Sequence, residues 1–176
     1  MKIDSENEVT WLEKVISRQA WKLRTTYKKC KYNSPTTHSC SLLYPVYGIR
    51  DDYSREQIEK QIRISYCDTT EKQITAHTGQ IFTALNRVKL NDLVIIPTDK
   101  GRFFTFGLIS DTPKISLDGE IKFRFCMQRE GVPISTFNQD LRYSFMAIMK
   151  ICEVRRNSAF DRLLEISNGS DDPGFV

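Results

Sequence analysis

The stretch KLNDLVIIPTDKGRFFTFGLISDT, residues 89 to 112, restricts the fold of this chain more than any other feature of its sequence. Two apolar runs, 93 to 96 and 103 to 109, are separated by Asp99-Lys100-Gly101. This triplet has the composition of a tight turn between strands. The pattern predicts a β-hairpin whose second strand carries three phenylalanines and the internal Gly107.

Length and composition indicate one globular domain. The chain has 176 residues, of which 40% are hydrophobic and 27% are charged, enough for a single core. Its longest apolar runs, LVII and FMAIM, are far shorter than the roughly 20 residues of a membrane helix, and the N-terminus lacks the apolar centre of a secretory signal. We therefore expect a cytoplasmic protein with no membrane partner, consisting of a domain over residues 1 to 166 and a flexible tail over 167 to 176.

Helical and strand periods are mixed along the chain without a regular βαβ repeat. Helices are predicted over residues 5–18, 54–66 and 71–87, with a short one after Asn157. Strands are predicted over 20–27 and 121–127, in the hairpin, and over 42–49, where Pro45 favours a sheet edge. This mixture predicts an α+β fold built on a small twisted β-barrel or curved sheet with peripheral helices.

The cysteines do not indicate a metal centre. There are five of them, and an odd number without a CxxC pair or a signal sequence favours reduced thiols. A zinc site made of Cys30, His38, Cys40 and Cys67 would lack the closely spaced ligand pairs of structural zinc sites. We expect neither a metal ion nor a cofactor.

A run of cations begins inside the first predicted strand. The segment KLRTTYKKCK, residues 22 to 31, contains no acid, and Trp21 and Tyr27 are interleaved with its cations. Such a segment can bind phosphates while an aromatic ring stacks on a base. The alternative is a solvated edge strand that is protected by lysines. The cations are Lys22, Arg24, Lys28, Lys29 and Lys31.

Motifs of catalysis are missing, and we expect no enzymatic activity. The sequence contains no phosphate-binding glycine loop, no GxSxG and no HExxH. His77 lies near the apolar stripe of a predicted helix, where a histidine is more often a core residue than a base. Asp92, Asp99 and Lys100 imitate the spacing of a magnesium-dependent nuclease. Turn chemistry explains the same three residues.

Four segments resemble the N-terminal domains of Mrr-like restriction endonucleases. They are YGIRDDYSREQI, AHTGQIFTALNRVKLNDLVIIP, FFTFGLIS and ISTFNQDLRYSFMAIMKICEVRRNSAFDRLLEI. The resemblance is weakest before residue 42, where Trp21 to Arg24 match only loosely. Asn91 stands where the family pattern has glycine.

That family module is similar to the PUA, EVE and YTH superfamily, whose small twisted barrels accept a base extruded from DNA or RNA, often a methylated one. The resemblance implies a non-catalytic DNA-binding specificity domain of a bacterial restriction or anti-phage system. Its partners would be DNA with a flipped, modified base and a nuclease domain or subunit. Extruding a base costs a few kcal/mol, which aromatic walls and hydrogen bonds to the base edge must offset.

The resemblance and the strand pattern together predict a base pocket. Its expected members are Trp21 as the stacking wall, Tyr47, Gly48 and Arg50 at the rim, and Gly107 as the floor. Asp140 and Ser144 either form the polar edge or only cap the next segment. The cationic run would hold the phosphates outside this pocket.

Three alternative functions remain open on sequence grounds. The first is an RNA-binding member of the same superfamily that reads a methylated base. The second is a small magnesium-dependent nuclease that uses Asp92, Asp99 and Lys100. The third is a protein-interaction or small-ligand domain, in which the cationic run is only a solvated edge.

Overall fold

The structure, a computed structural model, describes residues 19–25 and 37–174. These residues form an α+β domain with a strongly curled, seven-stranded mixed sheet and four helices. The strands are β1 (Ala20–Leu23), β2 (Thr37–Leu43), β3 (Leu93–Thr98), β4 (Phe103–Ile109), β5 (Lys114–Ile115), β6 (Glu120–Pro133) and β7 (Ile151–Glu153). The helices are α1 (Arg55–Ser65), α2 (Glu71–Asn86), α3 (Gln139–Phe145) and α4 (Ala159–Ser167). The α+β class and the curved sheet are therefore confirmed, whereas the helix predicted over 5–18 lies outside the described residues.

The sheet curls into a half-barrel. Its strand order is β2-β6-β4-β3-β1-β7, and β5 pairs with β6. Strand β1 runs parallel to β3, and the other pairs are antiparallel. The edge strands β2 and β7 face each other across a gap, called the seam below, where Lys150 Nζ donates a hydrogen bond to the Leu43 carbonyl. A strand was predicted over 42–49 at a sheet edge. The edge strand β2 overlaps this segment only at Leu42 and Leu43, and residues 44 to 49 form a loop.

The hairpin predicted from residues 89 to 112 is present. Strands β3 and β4 pair in register from Leu93 opposite Leu108 to Thr98 opposite Phe103. A single 3₁₀ turn, Asp99–Gly101, joins them. Its Lys100 and Gly101 have φ values of 57° and 84°, which is the left-handed conformation that short hairpin turns require.

Capping boxes fix the starts of α1 and α2. The Ser54 side chain accepts a hydrogen bond from the Gln57 backbone N–H, and the Gln57 side chain accepts one from the Ser54 backbone. Thr70 and Gln73 repeat this arrangement at α2. Each box satisfies backbone donors that a helix start leaves unpaired. The box predicted at Ser54 is confirmed.

Hydrophobic clusters pack on both faces of the central strands of the sheet, whereas one face is exposed where β2, β5 and the first half of β6 lie. One cluster contains Trp21, Val94 and Phe125 together with the buried residues of α1 and α2. The other contains the hairpin phenylalanines Phe104 and Phe106 with the buried residues of α3 and α4. Phe104 and Phe106 of the hairpin therefore pack inside the protein, whereas Phe103 is 40% exposed.

Two further segments, β6 and the C-terminal segment, differ from the predictions in their extent or contacts. Strand β6 was predicted to end near residue 127, but it continues to Pro133 because β4 pairs with its second half. A flexible tail was predicted from residue 167, yet the Asp172 side chain is 1% exposed and forms a 2.7 Å ion pair with Arg162. Through residue 174, the described tail is held against α4 by this contact.

Candidate functional site

The predicted wall and floor of the pocket, Trp21 and Gly107, lie in one row across the sheet. Trp21 is opposite Val94, which is opposite Gly107. Trp21 is 0% exposed, and a Cβ placed on Gly107 would be 2.2 Å from Cδ2 of Phe125. The Phe125 ring therefore packs directly on Gly107, and Trp21 is enclosed in the core, so this structure has no open pocket between the two residues.

The carboxylates of the nuclease alternative are not gathered together. Asp92 is buried before β3 and accepts hydrogen bonds from Trp21 Nε1 at 2.7 Å and from the Lys89 backbone at 2.8 Å. Asp99 follows the other end of β3 and forms a 2.7 Å ion pair with Arg102. A strand of six residues separates the two by about 20 Å, so they cannot bind one metal ion. In the described ranges, no three Asp, Glu, His or Cys side chains form a cluster suited to a metal.

The predicted polar edge, Asp140 and Ser144, stabilises α3 and α4. Asp140 accepts hydrogen bonds from the Arg162 guanidinium at 2.6 and 3.0 Å and from Asn157 at 3.0 Å. The Arg162 guanidinium holds the pKa of Asp140 well below its usual range. The Ser144 hydroxyl donates to the Asp140 backbone carbonyl at 3.3 Å. These bonds make Asp140 and Ser144 packing residues.

The predicted phosphate-binding cations differ in burial and in their hydrogen bonds. Lys22 is 1% exposed, and its Nζ donates to the backbone carbonyls of Phe145 and Ala147, so it is not available to a phosphate. Arg24 is exposed and donates to the Ile148 carbonyl at 3.3 Å. Lys28, Lys29 and Lys31 lie outside the described residues.

The predicted rim residues are in the loop that follows β2. Tyr47 is 66% exposed, and its carbonyl accepts a 2.7 Å hydrogen bond from Gln61 of α1. Gly48 has a φ of 78°, which favours glycine. Arg50 is at the surface and pairs with Asp52 at 2.8 Å.

A set of polar and aromatic side chains meets at the seam. Tyr44 follows β2, Lys150 precedes β7, His77 and Gln80 are on α2, and Tyr66 caps the end of α1. We call Tyr44, Tyr66, His77, Gln80 and Lys150 the seam site. Sequence reasoning treated His77 as a core residue and did not select the other four.

Gln80 connects the two edges of the sheet at this site. Its Oε1 accepts a 3.2 Å hydrogen bond from the Tyr44 hydroxyl and a 3.0 Å hydrogen bond from the Lys150 backbone. The Lys150 ammonium also lies 4.6 Å from the centre of the Tyr44 ring, within the range of a cation–π contact. Side chains rather than paired backbone therefore hold the seam together.

Two polar atoms of the seam site are buried without a hydrogen-bond partner in the described part of the chain. They are the Tyr66 hydroxyl and His77 Nδ1, and the two rings are neighbours with centroids 6.3 Å apart. Buried polar atoms are nearly always hydrogen-bonded, so each exception calls for an explanation such as a bound water or ligand. Their proximity makes the seam site the best candidate binding site.

Burial and charge set the protonation of these groups. Burial lowers the pKa of His77, and the Lys150 charge lowers it further. Burial raises the pKa of Tyr66, and the neighbouring Tyr47 raises it further. At neutral pH, His77 is therefore an uncharged imidazole and Tyr66 retains its phenolic proton. Both present hydrogen-bonding groups without charge.

Gly79 of α2 and the loop before Lys150 are next to members of the seam site in the sequence. Gly79 lies between His77 and Gln80, and a Cβ added to it would meet no atom within 4 Å. The loop before Lys150 exposes Met146, Ile148 and Met149, of which Ile148 is 82% exposed.

The signals for this site in the sequence are weak. His77 and Gln80 are three residues apart on α2 and therefore share one face. Lys150 is an isolated cation in the apolar stretch FMAIMKIC. Neither pattern shows that the two positions meet Tyr44 and Tyr66.

Comparison with protein-family models, with curated proteins and with solved structures gives no match to this chain. Among the described residues, no helix combines the length and apolar character needed to cross a membrane.

Proposed function

We propose that this chain is a nucleic-acid reader domain, similar to the PUA, EVE and YTH superfamily, that binds DNA through one flipped, modified base. It serves as a non-catalytic specificity unit of a bacterial restriction or anti-phage system and works with a nuclease domain or subunit. The observation that carries this proposal is the pair of unpartnered polar atoms on Tyr66 and His77. The half-barrel fold and the resemblance of four segments to Mrr-like N-terminal domains support it.

The chemistry of the seam site suits the edge of a nucleobase. An extruded base needs hydrogen bonds to its edge and contacts to its faces. The Tyr66 hydroxyl can donate or accept a hydrogen bond, and one ring nitrogen of a neutral His77 donates while the other accepts.

The proposed pocket differs from the one predicted from sequence. We assign Tyr47 and Gly48 to the rim of this pocket because they contact Gln61 of α1, the helix that Tyr66 caps. Arg50 follows in the same loop. Trp21, Gly107, Asp140 and Ser144 support the fold instead.

DNA binding by a variant that lacks the Tyr66 hydroxyl group tests the proposal. The experiment titrates fluorescent duplexes that contain methylated or hydroxymethylated bases, with an unmodified duplex as reference. Tyr66→Phe removes an oxygen that has no protein partner, so the fold should be retained. We expect a preference for one modified duplex and about tenfold weaker binding of that duplex by the variant, as for the loss of one hydrogen bond. Tyr143→Phe, on exposed α3, is the matched control and should bind as the wild type does.

Each contrary result points to a different conclusion. Equal binding of all duplexes, together with unchanged binding by Tyr66→Phe, would refute the reader proposal. Preference for RNA with dependence on the 2′-hydroxyl would favour the RNA-binding alternative. Magnesium-dependent cleavage that is abolished by Asp99→Ala would favour the nuclease alternative.

A further inference from the structure

An exposed face of the sheet carries cations and hydroxyl groups. Along β6, Ile121, Phe123 and Phe125 are buried, whereas Lys122 and Arg124 point outward. Their cross-strand neighbours on β2, β5 and the end of β4 are also polar. We call Ser39, Ser41, Ser110, Lys114, Lys122 and Arg124 the hydroxyl–cation face.

Register places like charges side by side on this face. Lys114 of β5 is directly opposite Lys122 of β6, and like charges at directly opposed positions destabilise a sheet. An anion that bridges the two ammonium groups would remove this repulsion. The arrangement therefore favours a negatively charged partner.

The carboxylates near this face bind its cations weakly. Glu120 is 3.6 Å from Lys122, and Asp111 is 3.6 Å from Arg124. The side chains of Lys122 and Arg124 are 62% and 60% exposed. Exposed ion pairs of this length contribute little to stability, so a phosphate can replace either carboxylate at small cost.

The spacing of the donors suits a phosphate chain. Lys122 and Arg124 are two residues apart on one strand, which separates them by about 6.8 Å, comparable with the distance between successive phosphates of an extended nucleic-acid strand. Ser41 is opposite Lys122, and Ser39 is opposite Arg124. Lys, Arg and Ser side chains are the usual partners of phosphate oxygens.

The face leads to the seam site. Strand β2 carries Ser39 and Ser41 and ends at Leu43, whose carbonyl accepts the hydrogen bond from Lys150. We propose that the phosphate backbone of bound DNA lies across the hydroxyl–cation face, so that a base can enter the seam site beyond Leu43. This inference rests on the proposed function and adds the surface that binds the backbone.

Salt dependence tests this inference separately from base recognition. The test variant combines Lys114→Gln, Lys122→Gln and Arg124→Gln. A control with the same net charge combines Lys72→Gln, Lys100→Gln and Arg156→Gln, three exposed positions elsewhere. The Kd of the preferred modified duplex and of its unmodified counterpart is measured over a range of salt concentrations.

Each lost phosphate contact reduces the magnitude of the negative slope of log K against log salt by about 0.9. We expect the slope of the test variant to be smaller in magnitude than that of the wild type by about 2 to 3. The ratio of the Kd of the modified duplex to that of the unmodified duplex should be unchanged. The slope of the control variant should stay near that of the wild type. Circular dichroism and the Tm should show that both variants fold.

The outcomes separate this inference from the proposed function. An unchanged slope in the test variant, or an equal decrease in the control, overturns the inference, and the reader function stands if the modified duplex is still preferred. If the wild-type protein binds no duplex, the inference and the proposed function both fail.

Discussion

The indole Nε1 of Trp21 donates a 2.7 Å hydrogen bond to Oδ2 of Asp92, and both side chains are fully buried. This bond joins β1 to the turn that starts β3, 71 residues later in the chain. Both residues are candidates for function by sequence reasoning. Their mutual contact in the core instead makes them a structural pair.

Breaking this pair should destabilise the fold. Trp21→Phe removes the donor and part of a buried ring, which should lower the free energy of unfolding by about 2 to 4 kcal/mol. Urea denaturation of Trp21→Phe, Asp92→Asn and the double variant measures the coupling. We expect non-additivity of about 1 to 3 kcal/mol, whereas additive effects would show that the hydrogen bond contributes nothing.

Two glycines should respond to alanine in opposite ways. Gly107→Ala places a Cβ 2.2 Å from the Phe125 ring, so the ring must move and stability should fall by about 1 to 3 kcal/mol. Gly79→Ala, in the interior of α2 with open space around it, should raise stability by up to about 1 kcal/mol. Thermal unfolding compares the two variants. A stable Gly107→Ala variant would contradict the packing of Phe125 over this glycine.

Arg162 should be one of the most sensitive positions, because its side chain is 4% exposed and it pairs with Asp140 and Asp172. Arg162→Met leaves these carboxylates without their cation and should cost about 3 to 5 kcal/mol at pH 7. Arg63→Met removes an exposed cation paired with Glu59 and Glu71, so it should change the free energy of unfolding far less. Chemical denaturation at pH 7 distinguishes the two.

Acid should reduce the cost of Arg162→Met. The pKa of Asp140 is depressed in the folded state by the Arg162 guanidinium. The stabilisation is therefore complete above the unfolded pKa of about 3.9 and is lost as pH falls toward the folded pKa. The stability difference between the wild type and Arg162→Met should shrink below about pH 4. A constant difference from pH 7 to pH 2 would contradict this linkage.

His77 should make stability depend on pH in a different window. Its pKa is lowered in the folded protein by burial and by Lys150, so below about pH 6.5 the unfolded chain binds the proton more readily. Wild-type stability should fall as pH decreases from about 6.5 toward the lowered pKa, and His77→Gln should lack this component. Denaturation curves of both proteins at about pH 7.5, 6.5 and 5.5 measure this pH-dependent part of the free energy of unfolding. Parallel pH profiles for the two proteins would show that His77 is not desolvated.

Local sequence signals predicted the elements of the fold well. The Asp99-Lys100-Gly101 turn, the capping box at Ser54 and the alternation of Ile121, Phe123 and Phe125 each depend on neighbours in sequence, and the structure confirms them. Strand β6 was predicted too short because its second half is stabilised by pairing with β4, which local patterns do not contain.

The location of the candidate site could not be predicted in the same way. Alternation of apolar and polar residues in a strand shows that the strand has two faces, but it does not show whether helices cover both. Trp21 and Gly107 were therefore assigned to an open face, whereas in the structure Phe125 packs against Gly107. The seam site depends on which strands become the edges of the sheet. Tyr44 and Lys150 meet through Gln80 only because of that long-range arrangement.

The seam is also the line along which the sheet is held most weakly. It is closed by Tyr44, Gln80, Lys150 and Leu43. Three hydrogen bonds, two to Gln80 Oε1 and one from Lys150 Nζ, close it, and water can replace each at a small net cost. Parting any other neighbouring strands breaks paired backbone. Local opening begins where it costs the least free energy. We therefore expect the domain to open along the seam before any hydrogen-bonded pair of strands separates.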